Sequence, residues 1–236
     1  MLATAGLGKA YSRGRWAVRH LDLVVPNGKL VMLLGANGAG KSTTINCFLD
    51  FIRPTEGSAS VDAYIVAAAP LSAKRNVAFL AETLAVYPSL TGLQNLVFFA
   101  GLGSITRLAR RDASSLLDRM GLPTRAWQRP VREYSKGMRQ KLGLAIALAR
   151  GASNIILDEP TTGLDPVSAR ELLRNLRQLT NEGAAVLMST HDVFRAASDA
   201  DHIYVMREGS TIAEFGPEEI PRLDMEAEYV RIMGDA

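Results

Sequence analysis

The chain has 236 residues, 47 % of them hydrophobic, and a formal net charge of +3. Such a composition can bury a sizeable core, which excludes a disordered chain, and the mild, dispersed charge excludes nucleic acid as an expected partner. The single cysteine, Cys47, cannot close an internal disulfide, and neither a secretory leader nor an apolar run of the ~18 residues that span a membrane is expected.

Tyr11 to Val25 reads as strands around a turn at Ser12–Arg15. Lys29 to Leu34 is a short apolar run ending at Gly35, which predicts a buried strand. Ser42 to Phe51 carries apolar residues at helical spacing until Pro54 and Gly57 stop the pattern. Strands follow at Ser58–Val61 and Val77–Leu80. From Thr91 to Arg150 the periodicity is helical with brief breaks, one amphipathic helix being marked by Leu116, Leu117 and Met120 and another running from Lys136 to Ala149. Strand–helix alternation then resumes, with a strand at Ile155–Leu157, a helix at Val167–Asn181 and a strand at Ala184–Ser189. A hairpin turns around Glu208–Gly209, between His202–Met206 and Thr211–Phe215. This alternation predicts a mainly parallel sheet wrapped by helices, with the helical stretch inserted.

Gly35-Ala36-Asn37-Gly38-Ala39-Gly40-Lys41-Ser42 fits G-x-x-x-x-G-K-[ST] in full, between a strand and a helix. Glycines let the backbone turn its N–H groups toward phosphate oxygens, and the helix that follows attracts anions at its N-terminus. Gly35, Asn37, Gly38, Ala39, Gly40, Lys41, Ser42 and Thr43 are thus expected to bind ATP. Lys41 would reach the β- and γ-phosphates, and the Ser42 hydroxyl would ligate Mg²⁺. Farther on, Asp158 and Glu159 end an apolar strand, the end where ligands collect on a parallel sheet. Asp158 would face the ion, and Glu159 would orient and deprotonate a water attacking the γ-phosphate.

With these motifs in place the chain resembles the ATP-binding cassette family over nearly its whole length. Tyr134-Ser135-Lys136-Gly137-Met138-Arg139-Gln140 stands where that family has its signature, Thr161-Thr162-Gly163-Leu164-Asp165 resembles its D-loop, and Ser189-Thr190-His191 its switch-histidine loop. Tyr11 occupies the place of the aromatic residue that stacks on adenine. The resemblance implies an α/β fold: a P-loop RecA-like core with an antiparallel β subdomain and an inserted α-helical signature subdomain. It implies one nucleotide-binding domain over 1–236, with core 1–84 and 151–236 and helical part 85–150. Lys41, Glu159 and His191 would be catalytic. Ser135, Lys136, Gly137 and Met138 would meet the ATP of a second nucleotide-binding subunit, in a homodimer. Asp165 is read either as a contact to that subunit or as the N-terminal acid of the next helix; Tyr11 is read as the adenine stack or as hairpin packing.

Two departures stand out. Tyr134, Lys136 and Met138 replace the leucine, glycine and glutamine of many relatives, and this variant is similar to export-type subunits that pair with a separate permease. Glu82 aligns where relatives carry a glutamine, and is read as a third Mg²⁺ ligand beside Ser42 and Asp158 or as a solvated loop acid. The resemblance implies an ATPase that energises a membrane exporter from the cytoplasmic face of the cell membrane. Soluble ribosome-acting proteins usually join two cassettes, chromosome ATPases carry a long coiled coil, and an inactive module would not keep Lys41, Asp158, Glu159 and His191 together. The apolar stretch Leu84-Ala85-Val86-Tyr87-Pro88 is expected to receive a permease helix, with Tyr87 as its anchor.

Overall fold

The computed structural model describes residues 1–12, 14–102 and 108–234. Arg13 of the expected first turn, and 103–107 of the expected helical stretch, lie outside the described residues. In chain order the elements are β1 (Leu2–Ser12), β2 (Arg15–Val25), β3 (Leu30–Leu34), α1 (Lys41–Phe48), β4 (Glu56–Val61), β5 (Tyr64–Ile65), α2 (Pro70–Arg75), β6 (Val77–Leu80), α3 (Gly92–Gly101) and α4 (Arg110–Arg119). Then come α5 (Lys136–Ala149), β7 (Asn154–Leu157), α6 (Pro166–Asn181), β8 (Ala185–Thr190), α7 (Val193–Asp199), β9 (His202–Arg207), β10 (Ser210–Phe215) and α8 (Met225–Gly234).

They form two sheets. One is antiparallel, in the order β2-β1-β4-β5; the other has the order β10-β9-β3-β8-β7-β6, parallel from β9 to β6 with β10 antiparallel at one edge. Every residue of β3, β7 and β8 is buried. That is why these strands read as unbroken apolar runs: a parallel sheet is covered on both faces. Alternation on β3 divides the core accordingly. Leu30, Met32 and Leu34 join the cluster shared with Leu96, Leu117 and Leu144 of the inserted helices. Val31 and Leu33 face the other way, into a cluster with Leu2, Leu7 and Leu23 of the antiparallel sheet and Phe48 of α1.

The first strand begins at Leu2, well before Tyr11, because β1 pairs with both β2 and β4 and small residues such as Gly6 and Gly8 sit in its interior. Helix α1 ends at Phe48, three residues before the expected stop at Phe51. Asp50 has φ +54, outside the helical region, and its carboxylate pairs with Arg53 at 3.2 Å and Lys74 at 3.3 Å. Among the described residues no helix is long and apolar enough to cross a membrane.

Candidate nucleotide site

The turn from β3 into α1 is built on glycines that tolerate no side chain. A Cβ on Gly35 would lie 2.4 Å from the Met206 carbonyl oxygen, and one on Gly40 would lie 2.6 Å from that of Ala17. Gly38 and Gly40 have φ of +85 and +107. The loop so formed leads into α1 at Lys41, where the first N–H groups have no acceptor within the helix. Beside it opens a cavity of about 460 Å³ whose walls include Tyr11, Trp16, Asn37, Lys41, Ser42 and Glu159.

Lys41 is buried, and oxygen surrounds its ammonium: it donates to the Gly35 carbonyl at 2.6 Å and the Ala36 carbonyl at 3.3 Å. The Glu159 carboxylate is the third neighbour, with Oε1 3.2 Å away. This last contact is an ion pair without hydrogen-bond alignment, so Glu159 Oε1 is a buried oxygen that accepts no hydrogen bond. The other oxygen, Oε2, accepts from Thr162 Oγ1 at 3.2 Å and lies 2.9 Å from His191 Nδ1, which donates in the tautomer that carries its proton there. Glu159 thus touches the phosphate loop and the end of β8 at once.

Its backbone is strained. Glu159 has φ +48, a region that costs a residue with a side chain roughly 1–2 kcal/mol. Ser189 stabilises the turn: its hydroxyl accepts from the Glu159 N–H at 2.9 Å and donates to Asp158 Oδ1 at 2.5 Å. One serine at the end of β8 therefore holds the Asp158 carboxylate and the Glu159 backbone at the end of β7. Among the described residues no group of three or more His, Cys, Asp or Glu could hold a metal by itself. Of the residues expected to ligate a hard cation, Ser42 lines the cavity, while the Asp158 carboxylate lies outside that wall and accepts from Ser189.

The remaining expected residues divide into two groups. Tyr11 lines the cavity, is 59 % exposed, and has Lys9 Nζ 5.5 Å from its ring centre. Trp16, across the hairpin, lines it too, and its sequence signal is only that of a second aromatic near Tyr11. Ser135, Lys136, Gly137 and Met138 lie outside that wall. Ser135 caps α5, accepting from the Met138 N–H at 3.2 Å, and Gly137 packs against Ser168. Asp165 caps α6: Oδ1 accepts from the Val167 and Ser168 N–H groups at 3.0 and 2.9 Å, and Oδ2 from the Ser168 hydroxyl at 2.6 Å. These bonds, those from Ser168 foremost, hold its carboxyl below the usual range. In the single chain Asp165 is thus the helix N-terminal acid. Glu82 also stands apart from the cavity wall, paired with Lys136 at 3.5 Å.

Comparison with known proteins bears on the family and the fold. The chain is 39 % identical over 214 residues to the daunorubicin/doxorubicin resistance ATP-binding protein DrrA of Streptomyces peucetius, a match covering 90 % of this chain and 64 % of that protein. It therefore spans just under two thirds of that relative's length. A solved ATP-binding subunit of an ABC transporter superposes with a TM-score of 0.85 at 28 % identity, covering 99 % of both chains. The ATP-binding cassette MJ0796, solved as a dimer bound to ADP and Pi after hydrolysis, superposes with a TM-score of 0.81 at 25 % identity, covering 92 % of this chain and 99 % of that one. With residues 18–162 matching the ABC transporter family model around this phosphate loop and its paired carboxylates, the chain belongs to the ABC transporter family.

Proposed function

We propose that this chain binds and hydrolyses ATP as one of two cassettes that energise a membrane exporter through a separate permease, working peripherally at the cytoplasmic face. The observation that carries the chemistry is the convergence of Lys41, Glu159 and His191 on one point beside the phosphate loop. In the chain alone the Glu159 carboxylate is the anion nearest the Lys41 ammonium. The β- and γ-phosphates of ATP would take that place, with the loop N–H groups and Lys41 as donors and the adenine between Tyr11 and Trp16. Mg²⁺ would be held by Ser42 and Asp158 and would neutralise charge on the phosphates.

Displaced from Lys41, Glu159 is free to act on water. The water oxygen bonds to the γ-phosphorus while the bond to the bridging β–γ oxygen breaks, releasing ADP and phosphate; the water proton passes to Glu159. His191 would hydrogen-bond a γ-phosphate oxygen. We assign 1–84 and 151–236 to the catalytic core and 85–150 to a helical subdomain. The latter presents Ser135 and Gly137 to the ATP of the second subunit, with Asp165 facing the same interface. An exporter is supported by the resistance function in the name of the DrrA relative, and a dimer by the dimeric cassette.

The permease would dock in an apolar groove of about 340 Å³ bounded by Phe79, Leu84, Ala85, Val86, Phe99 and Ile146. Tyr87 stands at its rim, stacked on Phe99 with ring centres 5.8 Å apart and meeting Phe98 edge-on at 5.0 Å. The decisive measurement is ATP turnover by the intact complex. Glu159→Gln is expected to keep ATP binding while turnover falls by about 10²-fold or more, the scale of general-base loss. Near-normal turnover would remove Glu159 from its role.

A further inference from the structure

The loop after β6 carries Glu82, whose carboxylate lies 3.5 Å from Lys136 Nζ at the first position of α5. One turn along the same helix face, Gln140 donates to the Glu82 carbonyl, also at 3.5 Å. Loop and helix are thus joined twice at one residue. On its other side Lys136 faces the turn at Gly163, which has φ +69 and where a Cβ would lie 3.8 Å from the ammonium. The Lys136 ammonium stands where the loop after β6, the start of α5 and the turn before α6 meet.

A lysine at the first position of a helix is electrostatically out of place. The free N–H groups there amount to about half a positive charge, so this end of α5 attracts anions and disfavours a cation. Glu82 supplies the compensating anion in the single chain. Its side chain is 55 % exposed, so one anion can be exchanged for another at small cost. On the composite-site reading given above, on which this inference rests, the anion that arrives at the start of α5 is the γ-phosphate on the second cassette.

We propose that Glu82 and Lys136 form an in-chain latch: Glu82 holds the Lys136 ammonium in the separate subunit and yields it to the γ-phosphate of the partner's ATP when two cassettes close. The loop that carries Glu82 also lines the apolar groove through Leu84 and Ala85. A permease segment seated there would move the latch with the loop, so docking and nucleotide closure share one charge pair.

The test is ATP-driven dimerisation of the Glu159→Gln chain, followed by sedimentation across an Mg-ATP titration at low salt. Glu82→Gln is expected to lower the half-dimerisation ATP concentration about two- to five-fold, the range an exposed ion pair reaches. Lys136→Gln is expected to raise it about ten-fold, as loss of a hydrogen bond to a charged group does. With Lys136 already replaced, the effect of Glu82→Gln should shrink toward none. An equal effect in both backgrounds would show that Glu82 acts through bulk charge and overturn the latch, as would dimerisation insensitive to Lys136. A Glu159→Gln chain that stays monomeric at saturating ATP would instead overturn the composite site, and the latch with it.

Discussion

Lys41 has little freedom: its side chain is 6 % exposed and bounded by two carbonyls and a carboxylate. Its neighbours are two neutral carbonyls and one carboxylate, and a triphosphate would replace them by presenting several anionic oxygens to the ammonium at once. Lys41→Ala should therefore weaken ATP binding by about 10²-fold, measured by titration with a fluorescent ATP analogue. An unchanged affinity would count against the phosphate-loop role. At this scale the phosphate loop and the Asp158–Glu159 pair were readable because their chemistry lies within a few consecutive residues. The roles of Ser189 and Thr162 on those carboxylates were not, because side-chain direction at a turn with positive φ cannot be read from residue order.

The start of α5 shows how an element accommodates a departure from its family's pattern. Tyr134 is buried, and its hydroxyl donates to the Ala126 carbonyl at 2.7 Å. The space it needs comes from Gly92, at the first position of α3, where a Cβ would lie 2.1 Å from the Tyr134 hydroxyl oxygen. Tyr134→Phe should cost about 1–2 kcal/mol, since the Ala126 carbonyl loses this donor; urea unfolding with an unchanged slope is the measure. A midpoint equal to the parent's would mean that ring packing alone sets this contact. Asn95 does comparable work nearby. Fully buried, it accepts from the Tyr87 N–H at 2.8 Å and donates to the carbonyls of Tyr87, Leu90 and Thr91, pinning the loop between the groove and α3. A polar residue in an otherwise apolar helix face was the sequence signal for it, but its partners were not.

For the whole molecule, two consequences are measurable. Tyr87 is 47 % exposed and stacks on Phe99 of the groove wall, so a charge placed there leaves the core intact and falls on the proposed docking face. Tyr87→Glu should keep ATP affinity while permease co-purification and transport fall; normal assembly and transport would move the docking site elsewhere. The second consequence is alkaline instability. Burial pushes the Cys47 thiol up to about 11 and the Tyr134 phenol up to about 12, and it also raises Tyr204 and Tyr229. The unfolded chain ionises first, from its ordinary values of 9.0 and 10.0, so it holds fewer protons than the folded chain as pH rises through this range. Stability is therefore fully present below about pH 9 and lost progressively toward 12. Cys47 and Tyr134 together should remove about 2–3 kcal/mol at about pH 10.5, read from denaturant midpoints against those at neutral pH. A midpoint flat between those conditions would refute it.

Local patterns in the sequence by themselves determined the parallel core, the hairpin of β9 and β10, the long helix α5 and the residues of the phosphate loop. Buried parallel strands are continuous apolar runs, helices repeat their apolar face every turn, and a phosphate loop is a contiguous backbone device. The tertiary structure alone decided that β1 starts at Leu2, since its strand character comes from pairing with β2 and β4. It also decided which carboxylate faces which cation. Glu159 went to Lys41 and His191, while Glu82 went to Lys136, fifty-four positions away. Charge pairs across such separations follow from how strands and loops are ordered side by side, and no periodicity along the chain records that order.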